Sequence, residues 1–199
     1  MLKLHAIDLH NVSFALDTFH HIFSWLPQDL DPYTGTLKGE LDVLPSQYYL
    51  VYDDEALVGI TGEYQVPGDP ESAFLGWFGV VPEMRRGHYG SKILRLHEEE
   101  LRRKGYKYSR LYTEEVNNEA TCAFYERNGY TAEPYFSPEE PQIPAGLIRV
   151  YSKTLGDWPL TPWGGRSLHL VEEARMMYTE DQLKDSARLI SEMQNGEHK

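Results

Sequence analysis

The chain has 199 residues, 41% of them hydrophobic and 25% charged, enough apolar material for one domain with an appendage. A formal net charge of −12 disfavours non-specific binding to nucleic acid or to an anionic membrane. A single cysteine, Cys122, excludes an intramolecular disulfide and a cysteine-rich zinc site; with no apolar run near the ~18 residues of a membrane span and no signal-like N-terminus, a soluble cytoplasmic protein is the expectation.

Leu2 to Ile7 reads as a first strand. Phe14, Ala15, Phe19, Phe23 and Leu26 recur at helical spacing, which predicts a helix over 11–26 ending before Pro27. Residues 27–46 carry Pro27, Pro32, Gly35, Gly39 and Pro45 and read as a loop with room for a short helix, well suited to contacting a substrate. Residues 47–52 and 57–64 form a hairpin about the Asp53–Ala56 turn, and Phe74 to Val81 is the third strand of the meander. A helix follows over 90–103, with Ile93, Leu94, His97 and Leu101 on one face and Gly105 as its stop. Then come a strand (108–114), a helix (118–127) stopped by Asn128-Gly129, a strand (130–136), a Pro-rich loop and a last strand (147–153). Residues 156–165 are rich in Pro, Gly and Trp. Beyond them Thr179-Glu180-Asp181-Gln182 has the form of a capping box, and Leu183, Ala187, Ile190 and Met193 share a helical face. The fold class is therefore mixed α/β, with a mostly antiparallel central sheet flanked by helices. Residues 1–155 form one domain, and 156–199 are an extension with an added helix that packs on that domain or on a partner subunit.

Charge is concentrated. Residues 85–110 hold nine Lys/Arg against three Asp/Glu; the rest of the chain holds ten against twenty-eight. The basic segment opens with Val80-Val81-Pro82-Glu83-Met84-Arg85-Arg86-Gly87-His88-Tyr89-Gly90-Ser91, a strand, a turn and a helix start. Free N–H groups and the positive end of the helix dipole converge on such a turn, which makes it an anion site and points to a phosphate-bearing ligand.

A second stretch, Asn118-Glu119-Ala120-Thr121-Cys122-Ala123-Phe124-Tyr125 through Gly129-Tyr130, lies about 30 residues further on. Together the two resemble the GCN5-related N-acetyltransferase (GNAT) superfamily. Pro82 to Leu94 is similar to that family's acyl-CoA pyrophosphate loop, Arg/Gln-x-x-Gly-x-Gly/Ala, and Asn118 to Tyr130 to its Asn-x-x-Ala…Tyr…Gly-Phe/Tyr signature. The resemblance covers residues 1–155 and leaves 156–199 without a counterpart. One departure is plain: His88 stands where the first motif glycine is usual, and its Cβ narrows the approach of phosphate to the backbone.

The resemblance implies acetyl-CoA as co-substrate. Its pantetheine arm lies along Val80 and Val81. Its pyrophosphate is held at Arg85, Arg86, Gly87, His88, Tyr89, Gly90 and Ser91. A backbone N–H near Phe78 to Val80 faces the thioester oxygen. An amine attacks directly, without an acyl-enzyme, and Tyr125 protonates the leaving thiolate. Asn118 caps its helix and touches the pantetheine. The strand before the loop offers no carboxylate base, which leaves Glu63, Glu114 and Glu115, with Glu114 placed first. These three, with Asp69 and Glu71, would suit a cationic acceptor. Trp77 and Phe78 read as pocket wall or core, and Cys122 as a small buried side chain. Adjacent His20 and His21 point to different helix faces, unlike a metal-ligand pair, so no metal is expected. The expected function is N-acyl transfer from acetyl-CoA to a primary amine, with no nucleic acid or membrane partner. A homodimer through the tail remains open, as does the alternative of a CoA-binding module without transfer activity.

Overall fold

A computed structural model describes residues 1–40, 45–114, 118–141, 143–144, 147–170, 179–181, 184–185 and 188. The fold is mixed α/β. The described residues form eight strands and four helices, with largely antiparallel strand pairing. By internal contacts the chain divides into two compact units, Met1–Ser109 and Arg110–Lys199.

The first unit runs β1 (Leu2–Ala6), α1 (Val12–Ile22), α2 (Thr34–Leu37), β2 (Ser46–Asp53), β3 (Ala56–Tyr64), β4 (Ser72–Leu75), β5 (Gly79–Val80), a 3₁₀ turn (Pro82–Met84) and α3 (Tyr89–Arg103). Its strands lie in the order β1-β2-β3-β4, and β5 also pairs with β3. In β2, period-2 alternation puts Leu50 and Val51 on opposite faces, and in β3 the register shift opposite Val51 and Tyr52 lets Val58 and Ile60, two residues apart, face different cores. Leu50 and Ile60 join Ile7, Ala15, Phe19 and Ile22 in a core under α1. Val51 and Val58 join Ile93 of α3 in a second core. Phe19 and Ile22, both almost fully buried, anchor α1, each by about 1.5–3 kcal/mol of apolar burial.

Helix α1 ends at Ile22, short of the expected Leu26. Pro27 disfavours a helical residue before it, and the chain turns instead through Leu26 N–H to Phe23 O at 3.0 Å. Helix α3 buries Ile93, Leu94, His97 and Leu101 as its spacing predicts, and Gly105, at φ +88°, ends it.

The second unit takes most of β6 (Tyr108–Glu114), then α4 (Glu119–Arg127), β7 (Thr131–Pro134) and β8 (Ile148–Thr154), with strand order β6-β8-β7. Residues 155–170 pack within this unit. Leu155, Trp163, Leu168 and Leu170 are buried. The buried Glu140 carboxylate accepts from Tyr135 OH and from the backbone N–H groups of Leu168 and Leu170. Arg110, also buried, donates to Ser152 Oγ at 2.6 Å and Thr161 O at 2.9 Å. Residues 180, 181, 184, 185 and 188 of the expected tail helix are helical, whereas its apolar face of Leu183, Ala187, Ile190 and Met193 and the end of its capping box at Gln182 lie outside the described residues. Among the described residues no helix is long and apolar enough to cross a membrane.

Candidate active site

The strand leading to the basic turn is broken, where the sequence reads as continuous from Phe74 to Val81. β4 pairs with β3 through Glu63 opposite Leu75. β5 pairs with the same strand through Ile60 opposite Gly79, one residue out of register. The slip is taken up at Gly76–Phe78, where Trp77 adopts φ +46°. Gly76 fits because a Cβ there would lie 3.1–3.2 Å from the Tyr64 and Tyr48 rings. Trp77 swings onto α1, edge-on to Phe19 at 4.8 Å and to Phe23 at 5.8 Å. An extra residue that re-aims a side chain and ends a ladder is how a β-bulge shapes a site. Below the bulge, Val81 N–H bonds Val58 O at 3.1 Å. By strand alternation the peptide group of Val80 then points away from β3.

The turn after β5 has an unusual backbone. Arg86 (φ +67°) and His88 (φ +60°) are both left-handed, with Gly87 between them. Left-handed residues in such a run turn successive N–H groups into one concavity, the geometry of an anion nest. His88 occupies the N-cap of α3 and makes no side-chain cap bond. The first intrahelical bond is Lys92 N–H to His88 O, so the N–H groups of Tyr89, Gly90 and Ser91 have no acceptor within the helix. The Arg86 and His88 side chains are exposed beside them. A polyanion fits this setting through backbone donors, the helix dipole and local positive charge.

Arg85 differs from the expectation. Its backbone N–H donates to Pro82 O at 3.2 Å, and its guanidinium donates to Val80 O and Ile22 O, both at 3.2 Å. Tyr89, the first residue of α3, donates its hydroxyl to Asp53 at 3.0 Å and carries Lys92 over its ring at 4.9 Å.

Three of the acidic residues that the sequence offers to a cationic acceptor have other partners. Glu63 is 2% exposed and accepts from Lys104 and from Tyr49 OH (3.3 Å). Burial pushes its carboxyl above the ordinary range despite these bonds. His97 Nδ1 lies 3.2 Å from Thr61 Oγ1, and its Nε2 lies 3.6 Å from Glu63; burial, aided by the Lys104 charge, pushes this histidine down to about 3. Glu63 therefore belongs to a buried cluster that ties the end of α3 to β2 and β3. Asp69 is buried and accepts from Ser72 Oγ at 2.8 Å, and Glu71 pairs with Lys107.

In the second unit Asn118 sits at the N-cap of α4, but its side chain does not cap the helix. Its Nδ2 donates to Thr113 Oγ1 at 2.7 Å and to Glu114 O at 3.2 Å, fastening the helix start to the end of β6. These two bonds through Nδ2 orient the side chain toward β6, and its oxygen accepts no N–H of the helix, which corrects the capping expectation. Glu114 is half-buried, and burial raises its carboxyl above the ordinary range. Glu115 lies outside the described residues. Tyr125 is the buried residue of α4; its ring packs on Tyr130 and Tyr151, each at 5.7 Å, and burial raises its hydroxyl. Cys122 is half-buried one turn earlier, its thiol 3.9 Å from Glu114 O. Tyr151 is buried beside Tyr125 and is not distinguished by any motif in the sequence. Only its place in the strand pattern of 147–153 marks it, and that pattern reads as core.

His21 bonds Glu83 at 2.8 Å, whereas His20 lies edge-on to Phe19, so the two histidines do diverge. Among the described residues no group of three His, Cys, Asp or Glu could hold a metal ion.

A model of the acetyltransferase (GNAT) family matches residues 13–130. No curated protein sequence gives a significant match. Solved structures similar to the chain include an acetyltransferase from Thermus thermophilus, at 16% identity and TM-score 0.60, covering 77% of this chain and 97% of that one. A ribosomal L7/L12 alpha-N-protein acetyltransferase in complex with coenzyme A aligns at 18% identity and TM-score 0.57, over 77% of this chain and 93% of its own. The spermidine/spermine N-acetyltransferase SpeG from Vibrio cholerae aligns at 13% identity and TM-score 0.58, over 78% and 95%. At these identities the likeness is one of fold. The family match spans more than half of the sequence, and on that ground the chain belongs to the acetyltransferase (GNAT) family.

Proposed function

We propose that this protein transfers an acetyl group from acetyl-CoA to a primary amine by direct attack. One observation carries the reading: the left-handed Arg86 and His88 gather backbone donors ahead of α3, within the basic segment of an acidic chain. In this reading Arg86, Gly87, His88, Tyr89, Gly90 and Ser91 hold the pyrophosphate. Backbone N–H groups from Phe78 to Val80 meet the pantetheine arm and the thioester oxygen. Tyr125 protonates the departing thiolate, and a hydroxyl raised by burial stays protonated at neutral pH, as an acid must. Glu114 takes a proton from the attacking ammonium, directly or through water. Its raised carboxyl is a better base than an exposed glutamate, because its conjugate acid lies nearer the working pH. Asn118 is a positioning residue at the start of α4.

The acceptor is an amine of the classes named for two of the similar structures, a protein α-amino group or a polyamine. The sequestering of Glu63 and the partnering of Asp69 and Glu71 favour the α-amino group, since these carboxylates are not free to meet a polycation. A screen of acetyl-CoA against polyamines, amino acids and N-terminal peptides, read by free thiol release, tests the reading. Peptide turnover is expected; turnover of polyamines alone would reverse the acceptor assignment. The same carboxylate-poor strand supports the runner-up, a CoA-binding module without transfer, for which CoA binds and no amine in the screen releases thiol.

A further inference from the structure

Arg85 stands at the basic position that opens the phosphate-loop motif and is exposed, yet two of its guanidinium nitrogens are engaged with backbone carbonyls. Nε reaches Val80 O and Nη2 reaches Ile22 O, both at 3.2 Å. Ile22 is the last residue of α1, and the helix leaves its final carbonyls without intrahelical partners. Val80 is the residue of β5 whose peptide faces away from β3. One planar guanidinium therefore joins the C-terminal end of α1 to the strand assigned to the pantetheine arm, and a fork of fixed geometry holds both at once. Two further contacts lie beside it. His21 of α1 bonds Glu83 of the 3₁₀ turn at 2.8 Å. Gly79 lets α1 approach so closely that a Cβ there would lie 2.4 Å from Ile22 Cγ2. The same end of α1 carries Phe23, which packs on Trp77 at the bulge.

We infer that Arg85 is a positioning residue that couples the acyl-CoA strand to α1, and that it is not a phosphate ligand. Ordering of β5 by CoA is passed through the Arg85 fork to the α1 end and its aromatic wall with Trp77. The inference rests on the acetyl-CoA reading above. It differs from the motif-based expectation, in which every residue of the turn faces the pyrophosphate.

The test uses full-length protein and CoA as the probe. Calorimetric titration over a salt series compares wild type with Arg85→Ala, Arg85→Lys and Arg86→Ala. Hydrogen exchange with and without CoA follows the segments 19–26 and 86–92. Arg85→Ala is expected to weaken CoA about three- to tenfold while leaving the salt dependence as in wild type, because no phosphate contact is lost. Arg86→Ala is expected to flatten the salt dependence. In wild type, CoA slows exchange in both segments. In Arg85→Ala it slows exchange at 86–92 only, and Arg85→Lys, with one donor group in place of a fork, restores part of the protection at 19–26. A merely structural role would not separate the two segments. If Arg85→Ala flattens the salt dependence as Arg86→Ala does, or keeps CoA-dependent protection at 19–26, the inference is wrong although the CoA site stands. If wild type itself does not bind CoA, the acetyl-CoA reading falls, and the inference with it.

Discussion

Replacing Lys104 with methionine strips the buried Glu63 carboxylate of its cation. Glu63 keeps the Tyr49 hydroxyl at 3.3 Å, but His97, 3.6 Å away and pushed down to about 3, stays neutral and supplies no charge. Removing one partner of a buried ion pair costs about 3–5 kcal/mol. The Lys104 side chain is 27% exposed, so water already shares its charge and the lower end of that range, about 3 kcal/mol, is expected. The variant has one way out, which is to protonate Glu63. A carboxyl raised above its unfolded value of 4.5 binds more protons when folded, so stability falls as pH climbs from that value to the folded one. Burial already raises Glu63, and loss of Lys104 raises it further. The deficit should therefore be small near pH 4.5, grow by up to about 1.4 kcal/mol per pH unit, and level off once Glu63 has ionised. Urea unfolding of wild type, Lys104→Met and the double variant Glu63→Gln/Lys104→Met, from about pH 4.5 to about pH 8, measures this. The double variant strands no charge and should regain most of the loss at the upper pH. A deficit of equal size at both ends of the range would refute the argument and assign the effect to lost packing of the lysine stem.

Three further outcomes follow from the site. Tyr125→Phe should lower kcat about 100-fold, the scale of general acid catalysis, with CoA affinity unchanged in calorimetry; an unchanged acylation rate would remove Tyr125 from the chemistry. Because burial raises Glu114, the rising limb of the pH–rate profile should sit above the ordinary carboxylate range, and Glu114→Gln should abolish that limb; a limb that survives the substitution belongs to another group. His88→Gly should relieve a left-handed strain of about 1–2 kcal/mol, less the glycine's added unfolded-state entropy of about 0.5–1 kcal/mol, so thermal unfolding should shift up slightly and His88→Ala should not match it. Equal melting temperatures for the two variants would show that the left-handed conformation carries no cost there.

What the sequence reveals depends on how local the cause is. Helix α3 is legible because Ile93, Leu94, His97 and Leu101 repeat at its period and Gly105 ends it. The anion turn is legible because a strand, a glycine-containing basic turn and a helix follow one another without a gap. The break in β4–β5 is not, since Gly76 and Gly79 are compatible with an unbroken strand; the need for them lies in the Tyr48, Tyr64 and Ile22 side chains that approach them. Glu63 reads as a strand carboxylate free for catalysis because its cation, Lys104, is 41 residues away. Asn118 reads as a cap because asparagine before a helix usually is one; its Nδ2 bonds to Thr113 Oγ1 and Glu114 O, which only the fold brings into place, orient the side chain toward β6 instead. Arg85 carries the motif's basic letter, but the carbonyl it serves, Ile22 O, is 63 residues upstream.

In the function proposed above, the turn from Arg86 to Ser91 presents acetyl-CoA for transfer to an amine. Its most direct test is to incubate the full-length protein with acetyl-CoA and the best peptide acceptor, and to quantify free CoA thiol and N-acetylated peptide in the same sample. One acetylated peptide per thiol released is expected, with both lost together in Tyr125→Phe. Thiol release without acetylated peptide, or tight CoA binding with neither product, would contradict it.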